Sequence, residues 1–442
     1  MFAPRDDLLS WGRLPRCRQH AASLSWQDQA VSLLREGRAR HGHVLVRGMG
    51  RSYGDSGLNP DGAVVVATRM DRLIAFDPAS RRLRAEGGAT LAALLRVLVP
   101  RGFFLPVVPG TSLITLAGAV ANDVHGKNHK TAGTFGRWVR AIGLVRSDGT
   151  EHMLEADDTS GLFAATIGGL GLTGLIRWVE IEVVPVPGPA IETETRAFGG
   201  LEEGLDQAGT IEPLWTHDVA WVDCNAKGAK LGRGLTMLGR HVPGEARGSV
   251  GEPRLAIPID GPGWLLNGPS ISTFNAFYYV LGQRKSGRRI VHYAPYFFPL
   301  DTIGAWNRLY GRRGFHQHQS VLPCNVARDA LREMLGQIAT AGDGSFLAVL
   351  KAFGGLRSPG LLSFPMPGMT LALDFRDRGE RTLSLFARLN AVVREAKGRL
   401  YPAKDAQMDA AMFRAGYPMW DKFAQYVDPA FSSGFWRRVA GR

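Results

Sequence analysis

The sequence predicts an α+β protein of two domains, and three observations carry that reading. The chain has 442 residues, too many for one ordinary core and suited to two. Up to Val184, β-type runs alternate with glycine turns, whereas from about Ile191 strand and helix patterns mix. Between these stretches Pro185, Pro187 and Pro189 break the pattern and mark a domain boundary.

The elements follow in order. Residues 43–47 (HVLVR) and 63–68 (AVVVAT) are short runs of branched apolar residues and read as buried strands. Thr90 suits an N-cap, with Leu91, Leu94, Leu95 and Leu98 on one helical face until Pro100 stops it. Residues 139–146, the turn Ser147-Asp148-Gly149 and residues 150–154 read as a hairpin. Residues 175–184 alternate as a strand. Beyond the prolines come a turn-rich stretch (242–263), an aromatic run (274–279), a basic cluster (Arg284, Lys285, Arg288, Arg289) and a helical period over 384–397. There is no internal repeat and no low-complexity tail.

Composition narrows the function classes. Hydrophobic content of 45% with 21% charged residues excludes a disordered chain. The net charge of +13 favours nucleic acid, a phosphorylated substrate or a membrane surface, and an arginine-rich surface without a specific partner accounts for it equally well. Nucleic-acid binding is not expected, because no recognisable motif interleaves aromatics with lysines. Cys17, Cys224 and Cys324 form no CxxC pair, so neither a disulfide framework nor a zinc site is expected. The N-terminal segment carries Asp6 and Asp7 and no apolar stretch of signal-peptide length, and no run approaches a membrane span. The protein is expected in the cytoplasm, peripheral to a membrane at most.

Two glycine clusters have to be told apart. Gly169, Gly171 and Gly174 match the dinucleotide pattern GxGxxG. That pattern binds pyrophosphate only where a helix follows, and here a β-type run follows, so a tight turn against another backbone is expected. The cluster RGMGRSYGD (47–55) follows a strand and runs into turn residues. Its freed backbone N–H groups can form a nest for pyrophosphate oxygens. In 107–136, Pro109-Gly110-Thr111 is a turn, and Ala117, Gly118, Ala119 and Ala121 admit a flat group or a helix. His125 and His129 lie four apart, yet Gly126 stands where a zinc protease needs glutamate. His316 and His318 would share one strand face, as polar pocket or surface residues rather than metal ligands. No metal site is expected.

Taken together, RGMGRSYGD, PGT, HGKNH, GLGLTG and the late LYPAKD resemble the FAD-binding family of vanillyl-alcohol oxidase. Within it they are most similar to the branch that oxidises polyprenyl-phosphoryl ribose, over nearly the whole chain. The resemblance implies a discontinuous FAD-binding domain, residues 1–189 completed by 399–442, around a substrate domain at 190–398. It implies FAD contacts from Val46, Arg47, Gly48, Met49, Gly50, Arg51, Ser52, Tyr53, Gly54, Asp55 and Ser56. Further contacts would come from Gly110, Thr115, Leu116, Ala117, Gly118, Asn122, Asp123, Val124, His125, Ile176 and Tyr401. Arg51 stands where covalently flavinylated relatives carry histidine, so non-covalent FAD is expected.

The implied reaction oxidises a secondary hydroxyl, with hydride passing to flavin N5. The resemblance puts Tyr53, Lys127 and Lys404 beside the reacting sugar, with Lys404 orienting the hydroxyl or accepting its proton. Gln317, Gln319, Lys351 and Thr370 would line the substrate pocket. Better-known members carry asparagine and cysteine where this chain has Thr370 and Ala372, which changes one pocket hydrogen bond and one thiol. A free-sugar, alditol or aldonolactone oxidase of the same fold is the alternative. A short-chain reductase partner would complete an epimerisation, and residues 274–289 would meet an anionic membrane surface through aromatics and cations.

Overall fold

A computed structural model describes residues 1–253, 255–284 and 287–441. It contains three principal sheets. The first has strands β1 (Ala3–Arg5), β2 (Gln19–Ser23), β3 (Val44–Arg47) and β4 (Ala63–Val66), in the order β1-β2-β4-β3. Both β2 and β3 run parallel to β4, and helix α1 (Ala30–His41) supplies the crossover that parallel pairing requires. Val44, Leu45, Val64 and Val65 are all buried, as continuous apolar runs without alternation imply.

The second sheet is antiparallel: β5 (Leu73–Asp77), β6 (Arg82–Glu86), β7 (Val139–Val145), β8 (Glu151–Glu155) and β9 (Leu175–Glu182), ordered β5-β6-β9-β7-β8. The expected hairpin is β7–β8, closed where Gly149 takes φ +96°. Between β6 and β7 lie α2 (Leu91–Leu98) and α3 (Leu116–Ala121). Thr90 caps α2, its Oγ1 accepting from the Ala93 N–H at 3.2 Å, and all four expected leucines are buried. The GLGLTG segment is a turn leading into β9. A Cβ on Gly169 would sit 2.1 Å from the Ala165 carbonyl oxygen, so the turn packs tightly against another backbone there.

The chain leaves the second sheet at Glu182 and enters an eight-stranded antiparallel sheet at Ala190. Its strands are β10 (Ala190–Phe198), β11 (His217–Val222), β12 (Gly234–His241), β13 (Gly287–His292), β14 (Phe315–Pro323), β15 (Ala348–Phe353), β16 (Gly368–Arg376) and β17 (Arg399–Leu400). Their order is β13-β10-β12-β11-β15-β16-β14-β17. Helices α4 (Gly268–Arg284), α5 (Ala327–Ala341) and α6 (Glu380–Glu395) lie between strands, and α6 covers the helical period expected at 384–397 except its last two residues. Leu331, Leu335, Ile338, Leu385 and Leu389 of α5 and α6 share a core with Leu322, Leu371 and Leu373 of the sheet. After β17, helices α7 (Ala410–Gly416) and α8 (Gly434–Ala440) return to the first sheet, where Phe431 and Phe435 join Val44 and Val65 in one core. The expected α+β class is borne out.

The structure corrects two surface expectations. His316 and His318 face neither pocket nor solvent: both are buried beside Phe386 of α6, and His318 Nε2 lies 3.0 Å from Asn390 Oδ1. Alternation along β14 turns Gln317 and Gln319 to the opposite face. In the aromatic run, Phe274, Phe277 and Tyr278 are exposed, but Tyr279 belongs to the core and donates its hydroxyl to the Phe198 carbonyl. Arg288 is paired with Glu194 at 3.2 Å, and Lys285 lies outside the described residues.

Candidate active site

A cavity of about 1120 Å³ runs between the three sheets. One end is made of backbone. The loop after β3 turns through Gly50 at φ +63°, and the N–H groups of Gly48, Met49, Gly50, Arg51 and Ser52 meet no acceptor among the described residues. Five such donors in succession form a nest for anionic oxygens. Buried Arg47 pins the loop by donating to the carbonyls of Gly57 at 2.9 Å and Leu9 at 2.5 Å. Side chains are excluded on this wall: a Cβ on Gly48 would lie 2.4 Å from Thr115 Oγ1, and one on Gly54 would lie 1.6 Å from the Asp405 carbonyl oxygen. Thr115 caps α3, its Oγ1 accepting from the Gly118 N–H at 3.1 Å, so Ala117 and Gly118 line a flat stretch. Nest, small-residue wall and volume fit a dinucleotide flavin.

Most residues expected at the cofactor line this cavity, including Val46 through Gly54, Ser56, Gly110, Thr115, Ala117, Gly118, Asn122, Val124, His125, Ile176 and Tyr401. Asn122 and Tyr401 are tied together, the Tyr401 hydroxyl donating to the Asn122 carbonyl at 2.9 Å. Asp55, Leu116 and Asp123 do not line the cavity, and their side chains support the wall from behind. Asp55 pairs with Arg438 at 2.7 Å, Leu116 is core, and Asp123 accepts from Ser358 and Ser363. Gly87 and Gly88 also line the cavity, and sequence reading missed them. Their signal was a glycine pair directly after a strand: a Cβ on Gly87 would sit 2.3 Å from the Ile176 carbonyl oxygen.

The other end is made of side chains. Lys404 reaches over the Tyr53 ring, its Nζ 3.7 Å from the centroid. Lys351 Nζ donates to His125 Nδ1 at 3.2 Å, and the Gln319 carboxamide lies 3.2 Å from His125 Nε2. Gln319 also donates to Thr370 Oγ1 at 3.3 Å, while Gln317 donates to the carboxylate of Asp374. Lys127 turns toward Tyr296, donating to its carbonyl with Nζ 4.0 Å from its ring centroid. All seven expected catalytic and substrate residues therefore border one space.

Its electrostatics are unusual. Among the described residues, none of Lys127, Lys351 and Lys404 forms an ion pair, and the nearby Asp218 is engaged by Lys130 at 3.5 Å. Burial disfavours their charged forms. It pulls Lys127 down to about 7 and Lys351 to about 8, and lowers Lys404, whose proton the Asp374 carboxylate helps to retain. Burial with the Lys351 charge holds His125 neutral. No group of three potential metal ligands exists among the described residues.

Sequence comparison places this architecture. The family described as FAD binding domain matches residues 21–155. The decaprenylphosphoryl-β-D-ribose oxidase of Mycolicibacterium smegmatis is 34% identical, over 98% of this chain and 97% of its own. This chain belongs to the decaprenylphosphoryl-ribose oxidase family. It is an FAD-dependent oxidoreductase, as the resemblance implied. A Streptomyces coelicolor chain described as an uncharacterized protein in the mprA 5′ region is 31% identical over 79% of this chain. The mouse L-gulonolactone oxidase is 27% identical over 40% of each chain. No helix among the described residues is long and apolar enough to cross a membrane.

Proposed function

We propose that this protein oxidises a secondary hydroxyl of a polyprenyl-phosphoryl ribose, or a similar glycosyl lipid, as the first half of an epimerisation. The carrying observation is that three half-buried lysines, Lys127, Lys351 and Lys404, line one cavity and form no ion pair among the described residues. A phosphodiester supplies the missing negative charge, whereas an alditol or aldonolactone supplies none. The name of the Mycolicibacterium relative points to the same substrate class, and the gulonolactone oxidase likeness covers only 40% of the chain.

Bound FAD supplies the hydride acceptor for the carbinol carbon. The chain supplies the rest. Lys404 Nζ, partly neutral near neutral pH because it is buried, accepts the hydroxyl proton. Tyr53 and Gln317 orient the sugar beside it, and Gln319 and Thr370 bond its other hydroxyls. Lys351 and Lys127 attract the phosphoryl group. Arg51 in place of histidine leaves the flavin without a covalent attachment. Residues 1–189 with 399–442 hold the cofactor, and 190–398 hold the substrate. A short-chain reductase then reduces the keto-sugar from the other face.

The lipid must be met at a membrane surface, and α4 suits that contact. Phe274 and Tyr278 are both exposed and part of the cavity wall, Phe277 is exposed beside them, and Arg284 and Arg289 follow. The protein works from the cytoplasmic side as a peripheral enzyme. Anaerobic flavin bleaching tests the substrate reading. Polyprenyl-phosphoribose should bleach the flavin, while free alditols and lactones should not. Bleaching by lactones alone would transfer the protein to the free-lactone oxidases.

A further inference from the structure

Behind the lysine end lies a buried carboxylate that the proposed roles do not use. Asp374 follows Thr370 and Ala372 along β16, so the two-residue period turns it to the same side of the sheet. It is 1% exposed, and no lysine or arginine forms an ion pair with it among the described residues. Gln317, part of the main cavity wall, donates to its Oδ1, while Oδ2 has no hydrogen-bond partner among the described residues. On its other side is a separate cavity of about 10 Å³, bordered by Tyr310, Ser345 and Arg378, with room for about one water. The groups facing it from the elements packed around it are Tyr310, Tyr53, Gln317 and Lys404, with the Ser345 hydroxyl accepting from its backbone N–H at 3.2 Å.

A bare carboxylate buried here would cost several kcal/mol unless a positive charge compensates it. Lys404 lies over the Tyr53 ring in the cavity that Gln317, bonded to Asp374, also lines, and each group shifts the titration of the other: the carboxylate favours the ammonium, and the ammonium favours the carboxylate. We propose that Asp374 is the counter-charge of Lys404, stabilising the ammonium that forms when Lys404 takes the substrate's hydroxyl proton. In that step the O–H bond breaks and an N–H bond forms at Nζ. The two electrons leave the carbinol carbon with its hydride, to FAD. The Lys404–Asp374 pair passes from a net charge of minus one to zero. Asp374 touches no substrate; it is a positioning residue that acts through Lys404 and Gln317.

This inference rests on Lys404 as the proton acceptor, and the test separates the two. FAD-loaded Asp374→Asn is compared with wild type in the pH profile of anaerobic flavin reduction by polyprenyl-phosphoribose. Without the carboxylate the amine stays free to lower pH, so the acid limb should move to lower pH and the plateau rate should fall about tenfold with the weaker base. An acid limb at the wild-type position, with FAD content intact, would overturn the proposal while leaving Lys404 its role. A second reading needs neither turnover nor the asparagine variant. The protonated-carboxyl infrared band of Asp374 should titrate at higher pH in Lys404→Met than in wild type, because the ammonium no longer favours the carboxylate. An unmoved band also refutes the pairing. If Lys404→Met reduces flavin at the wild-type rate, the underlying reading falls and the inference falls with it.

Discussion

The two ends of the cavity recognise charge by opposite means. The nest after β3 uses backbone N–H groups, holds no formal charge of its own at Gly48 and Gly50, and is built from consecutive residues. The lysine end uses ammonium groups taken from positions 127, 351 and 404, far apart in the chain and joined only by folding. Backbone donors are fixed by the turn and serve as a permanent cradle. Buried lysines can give up a proton, so that end can do chemistry as well as bind.

Breaking the cradle should have the largest effect. Gly54→Ala puts a methyl where the Asp405 carbonyl lies, so FAD should be absent from the purified protein and added FAD should not restore it. Normal flavin content in that variant would show that the wall yields. Breaking the chemical end should spare the cofactor. Lys404→Met should keep FAD, yet substrate-driven flavin reduction should fall by about 10²–10⁴-fold, the usual contribution of a positioned base. In wild type that rate should rise with pH as Lys404 loses its proton.

A smaller effect separates binding from stability at Lys351. Lys351→Met should weaken substrate binding about tenfold, from loss of one charge-assisted contact. The FAD-free variant should also melt above wild type. In the unfolded chain the lysine holds its proton up to about 10.5, whereas burial releases it at about 8. The native state therefore loses stability as pH falls through that window, and the thermal advantage of the variant should shrink as pH rises from 8 toward 10.5. A pH-independent difference would point to packing instead. The smallest effect belongs to the surface. Serine at Arg284 and Arg289 should weaken binding to anionic vesicles by about 1 kcal/mol per charge, with loss in high salt, and leave the flavin in place. Sedimentation equal to wild type would remove α4 as the contact. Acid precipitation should leave FAD in the supernatant, as a flavin beside Arg51 without a covalent bond requires.

The sequence by itself determined the local devices. Turn glycines, the Thr90 cap, the leucine face of α2 and the β7–β8 hairpin depend on neighbours a few residues away, so their chemistry is written in order along the chain. The same holds for the nest at 48–52, and for rejecting GLGLTG as a helix-capped dinucleotide fingerprint, since the β-type run after it is visible in the sequence. Tertiary structure alone decided which way side chains face and what meets them. His316 and His318 went under α6 because that helix packs on their face of β14, and sequence alternation cannot say which face receives the cover. Asp55 and Asp123 stand inside the expected cofactor segments, yet Arg438 and the serines at 358 and 363 draw them behind the wall. Asp374 shares its face with Thr370, but only folding sets it near Lys404, because Coulombic coupling depends on distance in space and not on separation along the chain.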